Sequence, residues 1–154
     1  MSDENTPTLD EQIEARRAQR RALRDALAEE RKLQLLDDLD AIANLEVELG
    51  PANVETLETV YTTGIPALVA VRNPKKAEID RYQDSIKPET KGQKIVMGDI
   101  AKAQAQLGGA CLVYPPRDSG LHKQLLELRP AIKVQAGAAA LAIAEARREA
   151  EGKE

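Results

Sequence analysis

Cys111 and His122 are the only cysteine and histidine in the chain. Together they are the one pair whose types suit a thiolate nucleophile and its base. Their settings argue against that chemistry. Cys111 lies in the apolar run Ala110-Cys111-Leu112-Val113, which predicts a buried, inert thiol. His122 sits between Leu121 and Lys123, a setting that predicts exposure. Zinc needs three or four ligands at clustered spacing, and the sequence has no such cluster. Gly108-Gly109 follows an expected helix instead of opening one, and no Lys-Ser/Thr completes a phosphate loop. No catalytic, cofactor-binding or metal-ligating residue is assigned, and no cofactor is expected.

Two charged clusters remain. Asp37, Asp38 and Asp40 fall within a long helical stretch and read as a solvated face. Arg16, Arg17, Arg20, Arg21 and Arg24 suit an acidic partner or a nucleic-acid backbone. Glu14, Asp25 and Glu29 flank them, which favours a balanced helix surface or a protein partner. Residues 1–50 hold 13 acidic and 7 basic side chains, and the remainder holds 13 and 15. A general nucleic-acid binder needs a strongly basic face, and none is indicated. With no Phe or Trp, base-stacking side chains are also scarce.

These residues must be carried by a largely aliphatic, helix-rich framework. Residues 1–8 are polar and expected to fray. Thr8 with Glu11 forms a capping-box pattern, and no Gly or Pro intervenes before Gly50-Pro51. A helix over Leu9–Leu49 would be about 60 Å long, with a bend expected near residues 28–32. Its apolar pattern is sparse at Leu9, Ile13, Leu23 and Leu27. It becomes rich over Leu35, Leu36, Leu39, Ile42, Leu45, Val47 and Leu49. Arginines at 16–24 interrupt the first seam, which weakens a long two-stranded coil. Leu57–Thr63 alternates weakly, and Leu68–Val71 is a second strand candidate beyond the Gly64 turn. Helices are expected over Lys75–Ile86, Gln93–Leu107, Leu121–Leu128 and Ala131–Glu149. A loop covers residues 87–92, Gly108-Gly109 ends a helix, residues 110–114 are extended or form a short buried link, and the tail from Glu145 frays.

The fold class is therefore α+β and mostly helical: a long N-terminal helix, a β-hairpin near 57–72, then a bundle of about four helices. Residues 1–34 form a charged helical arm, and residues 35–150 form the domain. Leu112 and Val113 belong to the expected core. A single cysteine excludes an internal disulfide and fits a reducing compartment. The acidic, polar start is unlike a secretory leader, and no stretch is apolar enough to suggest a membrane span.

Two stretches resemble a known family. Val71-Arg72-Asn73-Pro74 with Ala77-Glu78 and Arg81-Tyr82 is similar to a segment of phage tail assembly chaperones. So is Cys111-Leu112-Val113-Tyr114-Pro115 followed by Leu125-Leu126-Glu127 and Arg129-Pro130. The resemblance spans roughly residues 57–145; the long N-terminal arm and the aromatic-poor helix after Pro74 depart from it. It implies a non-enzymatic helper that binds the tape measure protein, and the tail tube protein, during assembly of a long-tailed phage. It also implies residence in the host cytoplasm, absence from the finished particle and, in some members, a frameshifted longer form. A homo-oligomer is compatible; nucleic acid and membrane are not expected partners. Leu35, Leu39, Ile42 and Leu141 are the expected partner-binding residues, on the Leu35–Leu49 stripe and the Ala138-Leu141-Ala142-Glu145 face. The alternatives are a structural virion or scaffold protein with a helical interaction arm and, ranked last, a small enzyme.

Overall fold

Thr8 opens the first helix as its capping box requires. Its hydroxyl accepts from the Glu11 N–H at 3.2 Å, and the Glu11 carboxylate accepts from the Thr8 N–H at 3.3 Å. In the structure, a computed structural model that describes residues 5–87, 92 and 97–152, helix α1 runs unbroken over Leu9–Leu49. No break occurs at 28–32. Ala28, Glu29, Glu30, Arg31 and Lys32 are all strong helix formers, and a change of surface pattern does not interrupt the hydrogen-bond ladder. Gly50 ends α1 at φ 93°, with its N–H donating to the Glu46 carbonyl at 2.8 Å. Every described residue up to Leu33 is exposed, and α1 begins to turn side chains inward only at Gln34.

A short 3₁₀ turn, Pro51–Asn53, leads to strand β1, Val54–Glu58, which pairs antiparallel with β2, Leu68–Arg72. The first strand thus lies earlier than the alternation at Leu57–Thr63 predicts. Gly64 turns the chain at φ 91°, and Pro66 has no N–H to give the ladder. Residues 59–67 consequently form an irregular connection, held by Thr59 N–H donating to the Ala67 carbonyl at 3.1 Å. The expected link at 110–114 supplies a third strand. β3, Leu112–Tyr114, pairs antiparallel with the other side of β2, giving sheet order β1-β2-β3.

β2 is buried on both faces, which explains its continuous apolar run. Leu68 and Ala70 meet Ile42 of α1, Val54 and Tyr114 on one face. Val69 and Val71 face the other way, into a cluster with Leu107, Cys111, Leu112, Leu125 and Ile132. The remaining helices are α2 (Lys76–Ile86), α3 (Met97–Cys111), α4 (Gly120–Leu128) and α5 (Ile132–Gly152). The protein is α+β and mostly helical. The expected helix start at Gln93 and most of the expected 87–92 loop lie outside the described residues.

Gly108-Gly109 does not end α3, which continues to Cys111. Gly108 is instead the point where α5 comes closest: a Cβ there would lie 1.8 Å from the Lys133 carbonyl oxygen. Gly137 of α5 answers it, since a Cβ there would lie 2.0 Å from the Gln104 carbonyl oxygen. With Ala103, Ala136 and Ala140 beside them, all three buried, these glycines let two backbones pack almost directly on each other. α5 also outruns expectation at its end, holding helix through the charged stretch to Gly152.

Candidate partner-binding surfaces

Asp38 is the most deeply placed charged side chain of the described residues, fully buried against the sheet. Its Oδ2 accepts from the N–H groups of Ala67 at 2.6 Å and Leu68 at 3.0 Å, at the entry to β2. Its Oδ1 accepts from the Tyr114 hydroxyl at 2.5 Å and the Gln34 amide at 2.8 Å. One residue of α1 thereby ties the start of β2 and the end of β3. Burial, and then the hydrogen bond and charge of Asp38, raise the Tyr114 hydroxyl pKa above its ordinary value. With all four bonds formed, the arrangement locks helix to sheet and leaves no reacting atom accessible. The solvated face expected for the three aspartates holds for Asp37 and Asp40 only. The missed signal was positional: Asp38 stands three residues after Leu35 and four before Ile42, on the inward stripe itself.

A second polar assembly closes the far end of β2. Arg72 grips Glu78 through two parallel bonds of 2.8 Å. It also donates to the Ala110 carbonyl at 3.0 Å. Arg117 donates to the Gly109 and Ala110 carbonyls, each at 2.9 Å. Two guanidinium groups therefore sit at the carbonyl end of α3, where a helix dipole favours positive charge. Glu78 also accepts from the Lys75 N–H at 2.8 Å, capping α2. The Arg72 hydrogen bond, the largest cause, holds the Glu78 carboxyl down at about 2.

Cys111 is fully buried, and burial pushes its thiol up to about 11, so thiolate is scarce near neutral pH. His122 is half-buried rather than exposed, and its Nδ1 lies 3.2 Å from the Pro115 carbonyl oxygen. Among the described residues, no three His, Cys, Asp or Glu side chains are grouped to hold a metal ion.

Two of the open surface features are largely apolar. A groove of about 520 Å³ lies between β1 and α5, lined by Leu57, Ala138, Ala139, Ala142, Ile143 and Ala146. A neighbouring cleft of about 320 Å³ shares Gln135 and is lined by Val60, Leu128, Pro130 and Ile132. Arg129 shapes it by donating to the Val60 carbonyl at 3.1 Å. β1 is an edge strand, so one wall carries backbone groups that pair with no neighbouring strand of the sheet. The opposite wall is alanine, which lets another backbone come close.

The four expected partner-binding residues are not brought together. Ile42 is only 3% exposed and belongs to the core, and Leu35 is half-buried beside it. Leu39 is 47% exposed on the outer side of α1. Leu141 packs on the core, while Ala138 and Ala142 of the same expected face do line the groove. No protein-family model, curated protein or solved structure matches this chain.

Proposed function

We propose that this chain is a non-catalytic tail assembly chaperone that holds a helical segment of a tape measure protein while the tail tube assembles around it. The observation that carries the reading is the alanine-walled groove between β1 and α5. An amphipathic helix can lay its apolar face there, its larger side chains entering over Ala138, Ala142 and Ala146. The resemblance in residues 57–145 supports the same reading. So does the polar inventory: the deepest acid is consumed in a structural lock, and the one thiol is buried. Among the described residues, no helix is long and apolar enough to cross a membrane. The proposed setting is the host cytoplasm, with the protein leaving before the particle is complete.

Co-expression with the tape measure protein tests this. A soluble, co-purifying complex is expected, weakened by Ala142→Glu on the exposed groove wall without loss of the chaperone's own fold. An insoluble tape measure protein and no complex would overturn the proposal. The second reading, a structural virion or scaffold protein, draws on the solvent-exposed arm of α1. Mass spectrometry of purified particles separates the two: abundant copies in mature virions favour the structural role.

A further inference from the structure

The groove between β1 and α5 is apolar on its walls and acidic at its rim. Glu55 lines it from the strand, on the same strand face as Leu57, and Glu58 lines the adjoining cleft. Both are exposed. On α5 the exposed Glu145 and Glu149 continue the alanine wall toward the helix end. At about 100° per residue, Glu149 falls about 20° and Glu145 about 60° round the helix from Ala142. The bases beside them, Arg147 and Arg148, fall about 140° and 120° away. Arg129 is the one base lining either cavity among the described residues, and it is turned to the Val60 and Leu128 carbonyls. Among the described residues, none of the four carboxylates is held in an ion pair.

We propose that the helix this groove accepts is a basic one: an amphipathic segment whose small apolar face is flanked by lysine and arginine. The inference rests on the chaperone reading for the owner of that segment, the tape measure protein, and adds its chemistry. A plain alanine slot would take any apolar helix face. Carboxylates on both sides of the slot make it selective. Flanking lysines or arginines can lay their alkyl stems along the alanine wall while their charged heads reach Glu55 on one side and Glu145 or Glu149 on the other. Glu145 and Glu149 stand one turn apart, so bases one turn apart on the incoming helix match them. An acidic segment would instead bring like charges together where water is partly excluded, a repulsion that rejects wrong partners. Complementarity of this kind acts mainly on partner choice and on the speed of encounter.

The test uses the full-length chain and two labelled synthetic peptides of about 18 residues, or five helical turns. Both carry the same alanine-leucine face; one is flanked by lysine and the other by glutamate. Fluorescence anisotropy is expected to show the basic peptide binding at least about tenfold more tightly, with the preference shrinking as salt rises to about 0.5 M. A double variant, Glu55→Gln with Glu149→Gln, changes two exposed side chains. It is expected to melt as the parent does and to lose most of the preference. Equal affinities, no binding of either peptide, or a preference untouched by the double variant would each overturn the proposal. Self-association of the chain, seen by light scattering and reversed by the basic peptide, would also overturn it, by making the arginine-bearing arm of another copy the occupant. Selective binding of the basic peptide, with no tape measure complex on co-expression, would support the acid-rimmed site and overturn only the chaperone reading.

Discussion

Gly108 and Gly109 are adjacent in one helix, and the same substitution should have opposite signs at the two. Neither has a positive φ, so alanine is conformationally acceptable at both. Replacing an interior helical glycine by alanine gains up to about 1 kcal/mol from propensity. At Gly109 a new Cβ meets nothing nearer than Lys133 Cε at 3.8 Å, so Gly109→Ala should stabilise by roughly 0.5 kcal/mol this close to the helix end. At Gly108 the Cβ would lie 1.8 Å from the Lys133 carbonyl oxygen and 2.6 Å from the Gly137 nitrogen. Both are backbone atoms and cannot swing aside. Restoring ordinary contact forces α3 and α5 apart by more than an ångström. A gap of even 0.5–1 Å forfeits about a quarter to a half of each dispersion contact along the seam. Overpacking typically costs about 1–3 kcal/mol, and this case belongs at the upper end even after the propensity gain. A loss near 2 kcal/mol lowers Tm by about 8 °C in a domain of this size. Thermal melts followed by helical circular dichroism, with urea titrations beside them, measure both variants. Gly108→Ala melting at or above the parent temperature would refute the close backbone crossing. Equal destabilisation of both variants would show that the crossing is not what distinguishes them.

Asp38→Ala leaves the Ala67 and Leu68 N–H groups without their acceptor and should cost about 3–5 kcal/mol in urea unfolding. Asp38→Asn keeps one acceptor oxygen and should recover at least half of that; equal loss in both variants would count against the lock. Glu78 supplies an acid-sensitive contribution: its pKa is held at about 2, below the ordinary 4.5, so stabilisation is full above pH 4.5 and lost as pH falls toward 2. Discounted for partial exposure, this is about 1–2 kcal/mol, and Glu78→Gln should flatten the fall in stability over that window. Leu112→Asp buries an unpaired charge in the sheet core and should abolish the cooperative melt, whereas an unchanged melt would place that side chain outside the core.

What was readable in the sequence was what short-range chemistry decides. The Thr8–Glu11 cap, the Gly50 stop and the β2 run each depend on a few neighbouring residues, and each lies where expected. The α2 and α4 helices fall within a residue of their expected bounds. The errors arose where a distant segment decides. Glycine in a helix reads as a terminator until the facing helix is known; at Gly108 that helix is α5, whose Lys133 lies 25 residues away. An aspartate among aspartates reads as solvated until two N–H groups from β2 are placed against it. The early position of β1 likewise follows from its pairing with β2, not from its own weak alternation. Of the expected contact surface, the alanines of α5 were recognisable by spacing. Which leucines of α1 face outward was not, because the exposed Leu33, Leu36 and Leu39 are interleaved with the inward Leu35, Ile42 and Leu45 in one run.

Two exposed alanine faces, on α1 and on α5, are otherwise hard to explain in a chain with so few large side chains. Alanine is the best helix former, which justifies it on any solvent surface. Propensity alone, however, would be met nearly as well by Glu, Lys or Gln, which the polar faces use freely. What alanine adds is approach: a partner's backbone can come near, and no rotamer freedom is lost when it does. A protein without Phe or Trp also lacks the aromatic anchors that dominate tight interfaces. Contacts made through its alanine faces are shallow and individually weak. Such surfaces release readily, because affinity differences among related interfaces reside mostly in dissociation. The chaperone role proposed above needs that property, since it requires a helix to be held only until a growing tube displaces it. On the proposed chaperone role, replacing Ala142 by Leu rather than Glu should therefore strengthen capture of the tape measure protein while slowing its release into tube assembly. Tighter binding with undiminished tail yield would refute the link between alanine and turnover of the complex.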